Sequence, residues 1–134
     1  MLKLVIALVL LAHGIGHSMG ILGVAKIATV NPQWRGDSWL LSGAVGNGAA
    51  GLFGVVLWTL AIAGFAALAA VVLGWLPQAW FQPLAIASSV VSLVGVLFFP
   101  MAFPVFSTLG AVAVDVAVLA AVLWAHWIPA DLAG

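Results

Sequence analysis

The sequence predicts an all-α integral membrane protein: a four-transmembrane-helix bundle with an additional short half-helix before the second span. Two observations carry this reading. The chain of 134 residues is 66% hydrophobic and only 4% charged, with a mean hydropathy of +1.36. A soluble domain carries about 25% charged residues, because it must cover its surface with them. The apolar residues also fall into runs near the ~20 residues needed to cross a hydrocarbon core of roughly 30 Å. Lipid is therefore the solvent for most of this surface. The length suits a single four-helix transmembrane domain over residues 1–134, with no separate soluble domain.

The first span is read over about residues 4–25, between Lys3 and Lys26. Met1-Leu2-Lys3 followed by the apolar run from Leu4 to Ala12 imitates a secretory signal. The apolar character continues well past Ala12, so a retained first membrane helix is expected. The stretch from Lys26 to Ser38 holds Asn31-Pro32, Arg35, Gly36 and Asp37, and it reads as a conventional loop. The uncharged run from Trp39 to Leu76 is too long for one straight helix and too short for two spans with a turn. Asn47-Gly48 is a turn signal inside it. The run is therefore divided into a half-helix at about 38–46, with Asp37 or Ser38 as N-cap, and a full span at about 49–74. The half-helix lies in the interface or dips into the membrane, where backbone breaks survive only if protein or a water cavity satisfies them.

Trp75, Pro77, Trp80 and Pro83 mark an interfacial connection, since Trp prefers the headgroup level. The third span follows at about 83–99, with Pro83 suited to a first helical turn. Pro100 and Pro104 bracket a tight link to the fourth span at about 105–127. Asp131 falls on the short tail. The seven Trp are expected mostly at the boundaries, with Trp58 the exception inside a span. Four crossings put both termini on one side. Lys26 and Arg35 against Lys3 favour the long loop as cytoplasmic, and the membrane expected is a cytoplasmic membrane of bacterial type.

Several functions are excluded. The formal net charge is zero, which leaves no basic face for nucleic acid. Without cysteine there are no disulfides, no thiolate metal sites and no Cys-attached haem.

Ionisable residues inside spans are costly and point to function. Here they are His13, His17 and Asp115, while His126 falls near the exit of the fourth helix. His13 and His17 share a helix face as i and i+4 residues, and Gly16 and Gly20 fall on it too. Leu4, Leu11, Ile15 and Leu22 fall opposite. Gly16 and Gly20 make a GxxxG step, which lets a second backbone approach. In the fourth span Thr108, Ala111, Asp115 and His126 share a face, with Phe106 and Trp124 opposite. In the third, Ser88, Ser92 and Gly95 form a stripe, with Ile86, Leu93 and Leu97 behind. Three helices thus show a small or polar stripe, which implies a polar, loosely filled or hydrated interior.

Depth gives a second line of argument. Counting at about 1.5 Å per residue puts His17 about 13 Å from Lys26 and Asp115 about 15 Å from Val105, with His13 about 6 Å beyond His17. Ser92 reaches a similar depth counted from Pro83. His13, His17 and Asp115 form one cluster if the first and fourth spans are neighbours. Asn47 joins them if the half-helix dips inward; otherwise Asn47-Gly48 is an ordinary surface turn. Gly43, Gly46, Gly48, Gly51 and Gly54 would then serve close packing against the first helix.

Three chemistries fit such a cluster. It can hold two helices in register. It can bind or pass a small ligand, a solute or protons, with the carboxylate stabilising an imidazolium or orienting a neutral ring. It can hold a metal ion on His13, His17 and Asp115, since two His and one carboxylate form an open-site set for non-haem iron or zinc. The function read from the sequence is an intramembrane polar His/Asp site for a small ligand, solute or protons, on His13, His17, Asp115, Asn47 and Ser92. The alternatives are a non-catalytic accessory subunit of a larger membrane complex and a metal-dependent membrane oxidoreductase. The partners expected are the lipid bilayer and a second copy or larger membrane complex.

Overall fold

The computed structural model describes residues 1–129, and among them there are helices and connections but no strand. Asp131 lies outside the described residues. The first span is built from α1 (Leu2–Gly16) and α2 (Ser18–Val24), and the second is α3 (Ser42–Val72). A 3-10 turn at Gln78–Trp80 leads into α4 (Phe81–Phe98), and α5 (Val105–Leu123) is the last. These four spanning units of 23, 31, 21 and 19 residues are long and apolar enough to cross a membrane.

The helix boundaries differ from the sequence reading in ways that have local causes. The first span starts at Leu2 and tightens at His17. There the His17 N–H donates to the Gly14 carbonyl and the Gly20 N–H to the His17 carbonyl, both at 3.1 Å. Such i→i−3 bonds are of the 3-10 kind, which in mid-helix often mark a hinge. The half-helix expected over 38–46 is a single turn from Ser42 to Val45, preceded by turns rather than helix at 39–41. Gly46, at φ 80° and ψ 160°, then kinks the chain before α3 continues. Only glycine reaches that backbone region without strain. The fourth span stops at Leu123, and His126 leaves the helix at φ 50° and is exposed.

α1 packs on α3, α3 on α4, and α4 on α5. Close backbone approach explains the first two contacts. A Cβ on Gly14 would stand 2.9 Å from the Cβ of Phe65, and one on Gly64 would collide with the Ser88 hydroxyl. Gly20 packs against the face of Trp58, where a Cβ would come within 2.7 Å of the ring. Gly16 has nothing within 4 Å. The GxxxG step expected from Gly16 and Gly20 is thus split: Gly20 serves close approach and Gly16 faces open space. The same correction applies to the glycines before Gly54. Gly51 and Gly54 meet Val24 and the Trp58 and Phe99 rings, whereas Gly43, Gly46 and Gly48 meet nothing.

Two apolar clusters fill the bundle. One joins Leu10, Phe65, Leu68, Val72, Phe81 and Val122. The other joins Trp34, Leu57, Trp58, Phe99 and Phe103. Trp58 is fully buried, and Trp34, expected at the boundary, is buried with it, their rings 5.8 Å apart. The Trp34 indole N–H donates to the Asp37 carbonyl at 2.9 Å, which offsets the cost of burying it, whereas Trp58 Nε1 has no hydrogen-bond partner among the described residues.

The loop after α2 folds over the end of α4. Ser38 Oγ donates to the Phe98 carbonyl at 2.7 Å, Trp39 Nε1 to the Leu97 carbonyl at 2.6 Å, and Asn31 Nδ2 to the Met101 carbonyl at 2.7 Å. The last carbonyls of a helix have no partner of their own, so these bonds close that end of the bundle. They also bring the end of the first span to the α4–α5 link.

The two glycines of the split step are expected to respond differently to substitution. Gly20→Ala forces the Trp58 ring to move and should cost about 1–3 kcal/mol, as overpacking does. Gly16→Ala should be neutral or stabilising by up to about 1 kcal/mol, through helix propensity. Thermal unfolding of the two variants in one detergent checks the contrast, and equal losses would contradict this packing.

Candidate functional site

A layer of polar side chains separates the two apolar clusters. α1 supplies His13 and its tightened end supplies His17; α4 supplies Ser92 and α5 supplies Asp115. The spacing along each helix sets this layer. On α4 the buried positions Phe81, Ala85, Ser88, Ser89, Ser92, Gly95 and Val96 make one continuous stripe, and serines occupy its middle. α5 turns outward nearly everywhere, with only Asp115 and Val122 buried.

Asp115 and Ser92 are each 0% exposed and His17 3%, so their polar atoms must find partners within the protein. They do so in one continuous chain. His13 Nε2 lies 2.9 Å from Asp115 Oδ1. Ser92 Oγ donates to Asp115 Oδ2 at 2.6 Å and lies 2.9 Å from His17 Nε2. Among the described residues His13–Asp115 is the only contact with ion-pair geometry, and it is ionic only when His13 carries a second proton.

The donor pattern follows from proton counting. An ionised carboxylate only accepts, so His13 Nε2 must carry its proton toward Asp115. Ser92 has one proton, and the short, charge-assisted bond to Asp115 takes it. His17 Nε2 must therefore donate to the Ser92 oxygen. Both imidazoles point an N–H at the same carboxylate, one directly and one through a hydroxyl. With both rings neutral the cluster carries one negative charge. One added proton on either ring makes it neutral. A second would place two imidazolium rings with centroids 5.1 Å apart, where like charges repel strongly away from bulk water.

Aromatic rings complete the walls. Phe65 meets His13 edge-on at 4.5 Å between centroids, and Phe103 meets His17 at 6.1 Å. A cavity of about 200 Å³ lies beside the two imidazoles, lined by His13, Gly16, His17, Phe103, Ser107 and Ala111 among others. Ala12, Met19 and Ser107 on its wall are exposed, so it opens between α1 and α5. This is the space that Gly16 leaves free. Phe65, Phe103 and Ser107 are not among the residues singled out from the sequence. Nothing local marks Phe65 or Phe103 apart from other core phenylalanines, whereas Ser107 beside Thr108 gave a polar signal at the start of α5.

The structure thus joins His13, His17, Ser92 and Asp115 and leaves Asn47 out. Asn47 is exposed in the first turn after the Gly46 kink and lines a different cavity. The half-helix is too short to carry it inward. Among the described residues no three His, Asp or Glu groups converge as a metal would require. The Ser92 hydroxyl stands between His17 and Asp115 and joins them in one hydrogen-bonded network. Beyond the chain of bonds, the Ser88 and Ser89 hydroxyls are buried with no hydrogen-bond partner among the described residues.

Removing the central hydroxyl tests the network. Ser92→Ala leaves Asp115 Oδ2 and His17 Nε2 without their partner and should cost about 1–3 kcal/mol of stability. A double-mutant cycle between His17→Ala and Asp115→Asn should show coupling with Ser92 present and lose it in the Ser92→Ala background. Coupling that persists without the hydroxyl would contradict the relay through Ser92.

Compared with known proteins, the chain matches no family model, and no match was found among curated proteins or solved structures.

Proposed function

We propose that this is a small polytopic membrane protein whose His13–Asp115–Ser92–His17 network takes up and hands on a single proton, in exchange with water or a small polar ligand in the adjoining cavity. One observation carries the reading: two imidazoles are aimed at one fully buried carboxylate through direct and hydroxyl-bridged hydrogen bonds. A contact that only held helices in register would need neither the second imidazole nor a cavity beside it. Imidazole can hold a proton on either ring nitrogen, and a carboxylate inside a span is tolerated only with such partners.

The cavity favours a small occupant. At roughly 30 Å³ per water, about 200 Å³ takes a few waters or one small polar molecule. Its opening between α1 and α5 gives the imidazoles access from the side of the bundle. In this reading Asp115 holds the charge, Ser92 conducts between the carboxylate and His17, and the two histidines meet the ligand. The reaction needs no bond to carbon, so an accessory or transport role fits better than an enzyme.

A second reading has its own support. The outer face of α5 carries Gly110, Ala113, Ala117 and Ala120, all exposed, and small residues at such spacing suit close helix association in lipid. A second copy or a larger membrane complex would then cover α5, making the chain an accessory subunit.

Infrared difference spectra of the reconstituted protein, recorded between pH 8 and pH 5, test the proton reading. The wild type should show a one-proton change with coupled carboxylate and imidazole bands. Asp115→Asn should remove it, and proton flux into dye-loaded vesicles should fall about tenfold or more, as loss of a proton-transferring group does. An identical pH response in Asp115→Asn would remove the basis for this function.

A further inference from the structure

The chain has three Lys and Arg residues, and two of them, Lys26 and Arg35, line one cavity of about 500 Å³. This cavity lies at the end of the first span. Its walls come from the end of α2, the loop after it and the first turns of α3, where Asn47, Gly48 and Gly51 line it. It is separate from the histidine cavity and shares no lining residue with it.

The cations there lack anions. Among the described residues neither Lys26 nor Arg35 forms an ion pair. The nearest acid in sequence, Asp37, accepts instead from the Arg35 backbone N–H at 3.3 Å. One guanidinium nitrogen of Arg35 donates to the Pro32 carbonyl at 2.9 Å, which leaves most of its five donors free. Asn47 has no side-chain hydrogen bond among the described residues and adds a neutral donor. Gly48 meets no atom within 4 Å of where its Cβ would be, so the floor stays open beneath these donors.

Two unpaired cations and a free amide around one concavity select an anion. A volume of about 500 Å³ exceeds what a simple inorganic ion fills and lies in the range of small-molecule sites, roughly 300–1,000 Å³. Guanidinium and ammonium together favour phosphate oxygens, which accept the fork of one and the point charge of the other. The cavity lies at the end of the first apolar span, where a lipid headgroup sits when such a span crosses a bilayer. We propose that this cavity binds a phosphate-bearing anion through Lys26, Arg35 and Asn47, as the headgroup of an anionic phospholipid presents it.

Binding fixes the loop from Lys26 to Asp37 at the bilayer surface. The same loop seats Trp34 in the core, caps α4 through Ser38 and Trp39, and ties to the α4–α5 link through Asn31. The headgroup site and the bundle end are therefore parts of one structure.

Native mass spectrometry of the purified full chain tests the proposal, with phosphatidylglycerol and phosphatidylcholine added in turn. The wild type should retain phosphatidylglycerol selectively. Lys26→Gln with Arg35→Gln should weaken that retention about tenfold or more, because basic residues at the membrane surface attract anionic lipid. Lys3→Gln, a cation outside the cavity, should leave it unchanged. If the double variant fails to fold, Asn47→Asp, which sets a carboxylate on the cavity wall at an exposed position, should give the same loss. Inorganic phosphate distinguishes the source: displacement of the lipid at millimolar phosphate indicates a soluble phosphate ligand for the same site, and resistance indicates the lipid. Equal retention of the two lipids by the wild type, or an equal loss in Lys3→Gln, overturns the proposal.

Discussion

A carboxylate in the middle of an apolar bundle costs several kcal/mol unless hydrogen bonds and counter-charge surround it. Asp115 is such a group, and its two oxygens are met from two other helices. α5 buries little besides this residue and Val122, so its seat against the rest of the bundle depends on α4 packing and on this one polar contact. The seam between α1 and α5 is held at the height of His13. On one side of that point lies the histidine cavity and on the other an apolar groove of about 390 Å³ between the same helices. A seam pinned at one level and open beyond it gives the two imidazoles a lateral approach, which the proposed proton exchange uses.

Glycine placement makes both features compatible in one helix. Gly14 lets α1 touch α3 at Phe65, and Gly20 accepts the face of Trp58. Gly16, between them, points to the other side and leaves room. The tightened turn at His17 falls between the two close contacts, so the second histidine sits where the helix is least regular. Aromatic packing then closes the layer above and below, with Phe65 against His13 and Phe103 against His17. The network is enclosed by rings that do not compete for its protons.

How much of this was legible beforehand depended on whether one helix alone could decide it. A helix is a ruler: the i, i+4 relation put His13 and His17 on one face, and rise per residue put Asp115 and Ser92 near the same depth. The three-helix cluster needed only one further condition, that the first and last spans be neighbours. Where a judgement depended on what packs against a residue, the ruler was silent. Gly16 and Gly20 look alike in sequence, yet Trp58 faces only one of them. Trp34 reads as an interfacial anchor until the Asp37 carbonyl is seen to satisfy its N–H. Asn47 could join the site only on an inward half-helix, and Gly46 cuts that half-helix to one turn, leaving Asn47 exposed as the surface-turn alternative has it.

By itself the sequence determined the helical class and the relative level of the site residues along their helices. Scarce charge suits the surface to lipid, and the lengths of the apolar runs set four helices long and apolar enough to cross a membrane, since both follow from solvation and rise per residue alone. Tertiary structure decided which polar groups meet, because a hydrogen bond between His13 and Asp115 joins positions 102 residues apart and no local rule spans that separation. It also decided that Ser92 stands between His17 and the carboxylate, so that the two histidines reach Asp115 along one hydrogen-bonded chain. The Asp115 charge that the sequence marks as costly acquires its chemistry only from the two helices that bring it donors.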